Sequence, residues 1–151
     1  GTDGILQRHH VLTAAAILEL DWRSPSMDYH TLMKLTKILC RDRREEVEQM
    51  YRRMCFNVFA HNRDDHSKNF SFLYNETKDQ WSLSPAYDLT WSSTYYGEHT
   101  TTVDGNGRDP GMKDLLAVGK AAGLSAKRCS NIAEEIQEIA LPLEKKYRKQ
   151  D

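Results

Sequence analysis

The sequence predicts a mainly α-helical protein with one small β-hairpin, and three observations lead to that prediction. Apolar residues recur at helical spacing in several long stretches of the chain. Residues 70–83 instead contain two short apolar runs separated by a polar turn, which is typical of a hairpin. The chain has 151 residues, of which 39% are hydrophobic and 28% charged. We therefore expect residues 1–151 to form a single globular domain with a sizeable core.

Five helices are predicted, each from a capping residue followed by apolar residues at helical spacing. The start signals are Thr13, Ser26, a capping box of Asp42 and Glu45, Asp109 before Pro110, and Ser125. Gly123 is a natural end for the fourth helix. Three apolar stripes are predicted to face the core: Tyr29, Leu32, Leu35, Ile38 and Leu39; Val47, Met50, Tyr51, Met54 and Val58; Ile132, Ile136, Ile139 and Leu143.

The predicted hairpin carries its apolar side chains into the core. Phe70 and Phe72 belong to the first strand, and Trp81 and Leu83 to the second. The connection between them is polar, which favours an exposed turn. A further short strand is predicted near Thr101, before a turn whose residues are Asp104-Gly105-Asn106-Gly107.

A polar segment, residues 62–71, stands immediately before the predicted hairpin and is the centre of the functional prediction. It reads Asn-Arg-Asp-Asp-His-Ser-Lys-Asn-Phe-Ser, with acids, bases, a histidine and amides side by side. The second strand of the hairpin leads to Ser-Pro-Ala-Tyr-Asp, which delivers another acid, Asp88. Loops fixed by regular strands are common positions for catalytic groups.

The spacing of three residues in these segments fits phosphoryl transfer. In protein kinases a catalytic Asp is followed five positions later by an Asn, and a second Asp comes after a hairpin. Here Asn69 is five positions after Asp64, and Asp88 lies 24 positions after Asp64. Arg63 precedes Asp64 as in the kinase Arg-Asp pair, although Asn62 stands where that motif has His. Amide and carboxylate oxygens are hard ligands that suit magnesium.

The longer motif is more specific than a general kinase signature. Asn-x-Asp-Asp-His-x-Lys-Asn-Phe-Ser-Phe-Leu, followed by Trp-x-Leu-Ser-Pro-Ala-Tyr-Asp-Leu, resembles the core of the HipA family. Members of that family are bacterial serine/threonine kinases that act as toxins of toxin–antitoxin pairs. The resemblance is strong over residues 56–90 and looser over the rest, where the chain resembles the family's C-terminal, protein-kinase-like lobe.

The resemblance implies a role for each polar residue of the two segments. Asp64 would be the catalytic base, and Asn69 and Asp88 would bind Mg²⁺. Residues His66, Ser67, Lys68 and Asn69 would contact the phosphates of ATP, and Tyr87 would lie beside the nucleotide. The implied cofactors are thus ATP and Mg²⁺, and the implied substrate is a Ser or Thr hydroxyl of a protein.

The resemblance also implies parts and partners beyond this sequence. A kinase needs a nucleotide-clasping lobe with a Gly-rich loop and a strand lysine, and neither is found before Asp64. We therefore expect an N-terminal lobe to be absent from this chain, so that the chain alone is inactive. The implied partners are that lobe, a protein substrate and an antitoxin, through which DNA would be contacted indirectly.

Two other functions are compatible with the same residues. Asp64-x-His66-x-x-Asn69 also resembles the loop of aminoglycoside and phosphoinositide kinases, which indicates a small-molecule phosphotransferase. The other alternative is a non-catalytic interaction module that binds an antitoxin or an N-terminal lobe. Zinc binding by His61 and His66 with the neighbouring acids is disfavoured, because the loop has no cysteine and no paired ligand spacing.

Charge, cysteine content and hydropathy bear on nucleic-acid binding and on the cellular location of the protein. The net charge of −1 gives no electrostatic reason for strong direct binding to nucleic acid. Three cysteines without Cys-x-x-Cys spacing indicate buried, reduced thiols, so a cytoplasmic location is expected. No run approaches the roughly 18 apolar residues of a membrane span, and we expect no membrane association.

Overall fold

The computed structural model describes residues 10–17, 27–62, 70–84 and 101–148. Its five helices within these ranges are α1 (Ala14–Ile17), α2 (Tyr29–Leu39), α3 (Arg44–Phe59), α4 (Met112–Ala121) and α5 (Ala126–Arg148). Its strands there are β1 (His10–Thr13), β2 (Met27–Asp28), β3 (Ser71–Asn75), β4 (Gln80–Leu83) and β5 (Thr101–Thr102). The mainly helical fold with a β-hairpin is therefore confirmed.

The sheet is larger than the predicted hairpin. β3 and β4 form that hairpin, and β1 adds to the other side of β3 to give an antiparallel sheet in the order β1-β3-β4. The short helix predicted to follow Thr13 is confirmed as α1, and Thr13 itself ends β1 opposite Ser71. Pairing with β3, which is distant in sequence, gives His10–Thr13 its strand conformation, and local propensity does not reveal such a pairing. β2 and β5 form a separate parallel pair.

The core lies around α3, which packs against α2, α4 and α5 and against strand β4. Its buried residues are those of the predicted stripe, Val47, Met50, Tyr51, Met54 and Val58, together with Cys55 and Asn57. Phe70, Phe72 and Leu83 of the hairpin join the same cluster, as predicted, and Trp81 packs against it partly buried. The helix that leads into the polar segment is thus the centre of the hydrophobic core.

Three of the predicted helix starts were wrong. α2 is capped by Asp28, whose carboxylate accepts a hydrogen bond from the His30 N–H at 2.8 Å, and Ser26 lies outside the described residues. The N-cap of α3 is Arg43, which makes no capping bond, and Asp42 before it has a left-handed φ of 59°. A residue in that conformation cannot complete a capping box, whose N-cap is extended.

α4 begins after Gly111, two residues later than Asp109-Pro110 predicted. The Gly111 N–H donates to the Asp114 carboxylate at 2.9 Å, so the acid inside the first turn satisfies the backbone there. The end of α4 and the start of α5 are as predicted. Gly123 has a φ of 98°, and the Ser125 hydroxyl accepts from the Arg128 N–H at 3.1 Å.

Two predicted core stripes differ in detail from the structure. Ile38 is 67% exposed because it lies about 180° around the helix from Tyr29, whereas Met33 and Thr36 occupy the buried face. On α5, Ile139 and Leu143 are exposed, and Ala140 is the buried residue of that turn. Helical spacing therefore located the helices correctly but placed the edges of their buried faces wrongly.

A bidentate ion pair between Glu48 and Arg128 joins α3 to α5. The Arg128 guanidinium donates to the Glu48 carboxylate from Nε at 3.0 Å and from Nη2 at 2.8 Å. These hydrogen bonds from Arg128 are the main reason why the pKa of Glu48 is lowered from its ordinary value of 4.5. A lowered folded-state pKa stabilises the fold above the unfolded-state pKa, and this stabilisation is lost as the pH falls through the folded-state value.

We therefore expect Glu48→Gln to lower the thermal midpoint at pH 7, and this effect to shrink as the pH falls below 4.5. Thermal melts of variant and wild type between pH 7 and pH 3 measure the difference. Glu135→Gln is the matched control, because Glu135 is more exposed and meets Arg52 at a single distance of 3.4 Å. A difference that stays constant over the whole pH range would show that the pair is not its source.

Among the described helices, none is both long enough and apolar enough to pass through a membrane.

Candidate active site

The residues predicted to act on ATP lie in two segments that fall outside the described ranges. Residues 63–69 contain Asp64, His66, Ser67, Lys68 and Asn69, and residues 85–100 contain Tyr87 and Asp88. Their individual roles therefore stay predictions. The structure does describe the residues that flank both segments, and these flanks determine where the two segments begin and end.

The two segments meet the hairpin at the same end. Phe72 of β3 pairs with Leu83 of β4, and one step further the Ser84 N–H donates to the Ser71 carbonyl at 2.8 Å. Ser84, the residue after β4, thus lies opposite Ser71, the first residue of β3, at the usual strand spacing of about 4.8 Å. Phe70 directly precedes Ser71, so the described residues that flank the end of segment 63–69 and the start of segment 85–100 lie close together.

Segment 63–69 begins shortly after α3 ends at Phe59, and backbone hydrogen bonds fix the conformation of that helix end. The His61 N–H donates to the Val58 carbonyl at 3.2 Å, and the Asn62 N–H donates to the Asn57 carbonyl at 2.9 Å. This pair of bonds is a Schellman motif, with His61 at a left-handed φ of 54°. The chain consequently turns away from the helix axis at a fixed residue just before Asp64.

A chain of buried side-chain hydrogen bonds supports the same turn. Asn57 donates from Nδ2 to the Tyr29 hydroxyl at 2.9 Å, and Asn62 donates from Nδ2 to the Asn57 Oδ1 at 3.0 Å. Among buried side-chain atoms of the described residues, Asn62 Oδ1 has no hydrogen-bond partner. A buried, unpaired acceptor is costly and marks a place where a donor is expected. This acceptor lies two residues before Asp64.

The other end of segment 63–69 is fixed by the core. Phe70 is 1% exposed and meets the Tyr29 ring edge to face, with ring centroids 5.8 Å apart and an interplanar angle of 89°. Its carbonyl accepts a hydrogen bond from the Ala14 N–H at 2.7 Å. Tyr29 is therefore linked to the residues on both sides of the segment. It contacts Phe70 directly, and it is linked to Asn62 through Asn57.

Side chains of α3 bind the outer edge of β4. The Arg43 guanidinium donates to the Trp81 carbonyl, and the Glu46 carboxylate accepts from the Leu83 N–H at 2.8 Å. Because β3 pairs with the opposite edge of β4, these bonds satisfy backbone groups that would otherwise be open to another strand. The strand that leads to Asp88 is therefore held on both sides.

Residues 85–100 end at β5, which Asp28 ties to the start of α2. The Asp28 carboxylate accepts from the Thr102 hydroxyl at 2.6 Å and from the Gly105 N–H at 2.7 Å. His30 Nε2 lies 2.8 Å from the Asp104 carboxylate, which adds a second link between the same two parts of the chain. Asp28 thus combines helix capping with anchoring of the segment that carries Asp88.

Burial determines the chemical state of the ionisable core residues near α3. Desolvation raises the pKa of Cys40 to about 11 and of Cys55 to about 12, and it also raises the pKa of Cys129. These free thiols are therefore protonated and unreactive at neutral pH, as the sequence indicated. Burial lowers the pKa of Arg53, which lies between the hairpin and Tyr29.

The donor set suits magnesium better than a softer metal. The predicted ligands Asn69 and Asp88 offer only amide and carboxylate oxygens, and the segments contain no thiolate. In the described ranges, no group of three or more His, Cys, Asp or Glu side chains is placed to hold a metal ion. The predicted metal ligands Asn69 and Asp88 lie outside those ranges.

Sequence reasoning missed three residues that support the site, namely Arg53, Asn57 and Asn62. A signal for the first two was present, because Arg53 is three positions after Met50 and Asn57 is three positions after Met54. Polar side chains at such positions of an apolar stripe require buried partners. Asn62 was visible only as the residue that replaces His in the kinase motif.

The described fold is mainly helical, with a small three-stranded antiparallel sheet. A similar fold occurs in HipA of Shewanella oneidensis MR-1, in a structure of that toxin–antitoxin system's HipA and HipB with operator DNA. The TM-score is 0.65 at 17% sequence identity, and the match covers 95% of this chain and 42% of that chain. At this identity the likeness shows a shared fold, and the chain spans well under half of that HipA chain.

The chain belongs to the HipA-like C-terminal domain family, whose family model matches residues 2–142. The resemblance identified from the sequence motif is thereby confirmed. A comparison with curated proteins gave no match.

Proposed function

We propose that this chain is the catalytic lobe of a HipA-like serine/threonine kinase that acts as the toxin of a toxin–antitoxin pair. The observation that carries the proposal is the adjacency of Phe70 and Ser84 at one end of the hairpin. These two residues flank the segments that contain the kinase-spaced residues Asp64, Asn69 and Asp88, so their adjacency supports the proposal. Membership of the HipA-like family supports the same reading.

Each residue of the two segments has a defined task in this proposal. Asp64 orients the acceptor hydroxyl and takes its proton as the phosphoryl group transfers. Asn69 and Asp88 hold Mg²⁺, which neutralises charge on the ATP phosphates. Lys68 offsets the charge that develops on the transferring group.

The remaining residues of the proposal bind ATP itself. His66 and Ser67 contact the phosphates from the same segment as Lys68, and Tyr87 lies beside the nucleotide. Positioning and electrostatic stabilisation supply most of the rate gain in phosphoryl transfer. The hydrogen bonds that fix Asn62 and Ser84, which flank the two segments, provide the support that such positioning requires.

The proposal includes a second lobe and an antitoxin. This chain matches 42% of Shewanella HipA, and we propose that the complete protein supplies a nucleotide-clasping lobe as well. Shewanella HipA was solved with HipB and operator DNA, which supports an antitoxin partner for this protein too. DNA would be contacted through that antitoxin, since this chain has a net charge of −1. The proposed location is the cytoplasm, where such a pair would act.

Isothermal titration with ATP and Mg²⁺ tests the proposal. The complete protein is expected to bind ATP in a magnesium-dependent way, and this chain alone is expected to bind weakly because it lacks half of the nucleotide site. Failure of the complete protein to bind ATP would contradict the kinase assignment and favour the interaction module. Tight binding by this chain alone would contradict the two-lobe site.

A small-molecule phosphotransferase is the alternative that the Asp64-x-His66-x-x-Asn69 spacing also supports. Incubating the complete protein with labelled ATP separates the two kinase classes. Label in protein Ser or Thr residues supports the HipA-like activity, and label only in small molecules supports the alternative.

A further inference from the structure

The Arg53 side chain contacts the flanks of both candidate segments. Its Nη2 donates to the Ser84 carbonyl at 2.5 Å, immediately before segment 85–100. Its guanidinium carbon lies 6.0 Å from the centroid of the Phe70 ring, immediately after segment 63–69. One side chain of α3 therefore touches both of the adjacent chain positions from which the two proposed magnesium ligands extend.

Arg53 and its neighbour Arg52 have different kinds of partner: Arg53 binds a backbone carbonyl, whereas Arg52 binds a carboxylate. Arg52 forms an ion pair with Glu135 at 3.4 Å on the surface. No carboxylate in the described part of the chain lies within 4.0 Å of the Arg53 guanidinium, which is mostly removed from water between α3 and the hairpin. The Glu46 carboxylate stabilises this charge from a distance, but a mostly desolvated guanidinium without a direct ion pair is still costly, so structural packing alone is a poor reason for an arginine at this position.

We propose that Arg53 is a positioning residue for the magnesium site of the kinase proposed above, on which this inference rests. Its bond to the Ser84 carbonyl fixes the start of the segment that carries Asp88, four residues later. Its guanidinium over Phe70 fixes the residue that follows Asn69. Together these contacts set the separation of the two metal ligands.

The short chain distances make this role effective. Four residues extend at most about 14 Å, so Asp88 stays close to the Ser84 carbonyl that Arg53 holds. Asn69 is directly bonded to Phe70. Removing a partner that orients a metal ligand commonly lowers metal affinity by roughly 10–100-fold.

The test uses the complete protein with Mn²⁺ as a paramagnetic probe and a non-hydrolysable ATP analogue. Electron paramagnetic resonance of free Mn²⁺ gives the dissociation constant of the bound ion. Arg53→Gln is expected to weaken Mn²⁺ binding by roughly tenfold or more, with Arg53→Lys intermediate because it keeps the charge and one donor. The matched controls Arg52→Gln and Arg52→Lys are expected to leave Mn²⁺ binding unchanged.

Unchanged Mn²⁺ binding in a folded Arg53→Gln variant would overturn the inference, and so would an equal loss in Arg52→Gln. If Arg53→Gln does not fold, Arg53→Lys decides, because wild-type binding in that variant would show that the planar guanidinium has no positioning role. Asp88→Asn separates this inference from the proposed function. If Asp88→Asn binds Mn²⁺ normally, the proposed metal site is wrong. If only Arg53→Gln binds normally, the kinase assignment stands and the role of Arg53 does not.

Discussion

Replacing Asp64 with Asn in the complete protein is expected to lower phosphoryl transfer by about 10²–10⁴-fold, the usual contribution of a positioned acid or base. Asn keeps the size of the side chain but cannot take the proton of the acceptor hydroxyl. Asp88→Asn is expected to have a comparable effect through loss of a charged magnesium ligand. The measurement is incorporation of the ATP γ-phosphate into protein at saturating ATP and Mg²⁺.

Asp79→Asn is the matched control for these two variants. Asp79 lies in the exposed turn between β3 and β4, where it meets Arg41 at 3.3 Å, and its φ of 50° is one that Asn also adopts. The control is expected to keep wild-type activity. Full activity in Asp64→Asn would exclude it as the base, and full activity in Asp88→Asn would exclude it as a metal ligand.

Gly119→Ala is expected to destabilise the protein, although the same change inside a helix ordinarily stabilises. A Cβ at Gly119 would lie 2.4 Å from Cys129 Sγ and 2.6 Å from Tyr51 Cε1, so α4 could not keep its distance from α3 and α5. Overpacking costs about 1–3 kcal/mol, and the gain in helix propensity offsets about 1 kcal/mol of it. We expect a net loss of up to about 2 kcal/mol, measured by chemical denaturation.

Gly111→Ala provides the comparison at a glycine with open space. Nothing lies within 4 Å of a Cβ placed at Gly111, whose φ is −124°. Because Gly111 is the N-cap of α4, where Ala is less favourable than Gly, the expected loss there is about 0.5–1 kcal/mol and involves no overpacking. A Gly119→Ala variant as stable as wild type would mean that the three helices can separate slightly without cost.

Gly119 also illustrates what sequence patterns reveal about this fold. Its position inside a predicted helix counts against that helix on propensity alone, yet α4 forms. The close approach of Tyr51 and Cys129 explains the glycine, and both residues come from other helices. The helices and the hairpin could be predicted because they follow from local periodicity, whereas β1 and the capping role of Asp28 depend on contacts between distant residues.

In the candidate site, too, some residues could be predicted from the local sequence, and others depend on contacts between distant parts of the chain. Asp64, Asn69 and Asp88 were predicted from spacing, because phosphoryl-transfer chemistry requires those residue types in that order, and their roles stay predictions. Arg53 and Asn57 act through backbone and side-chain groups that become neighbours only when α3 packs on the hairpin and on α2. The sequence shows that these two polar residues interrupt an apolar stripe, but it does not show which groups they bind.

Residues 85–100 connect two chain positions that the rest of the molecule holds. Arg53 binds the carbonyl of Ser84 at one end, and Asp28 with β2 binds the residues after Thr101 at the other. The free energy of closing such a connection grows slowly, by about 0.6 kcal/mol for each doubling of its length. Insertions after Asp88 would thus be cheap for the fold. If this stretch contacts the phosphoacceptor, related proteins can acquire new targets by changing its length and sequence while the helical core stays as it is.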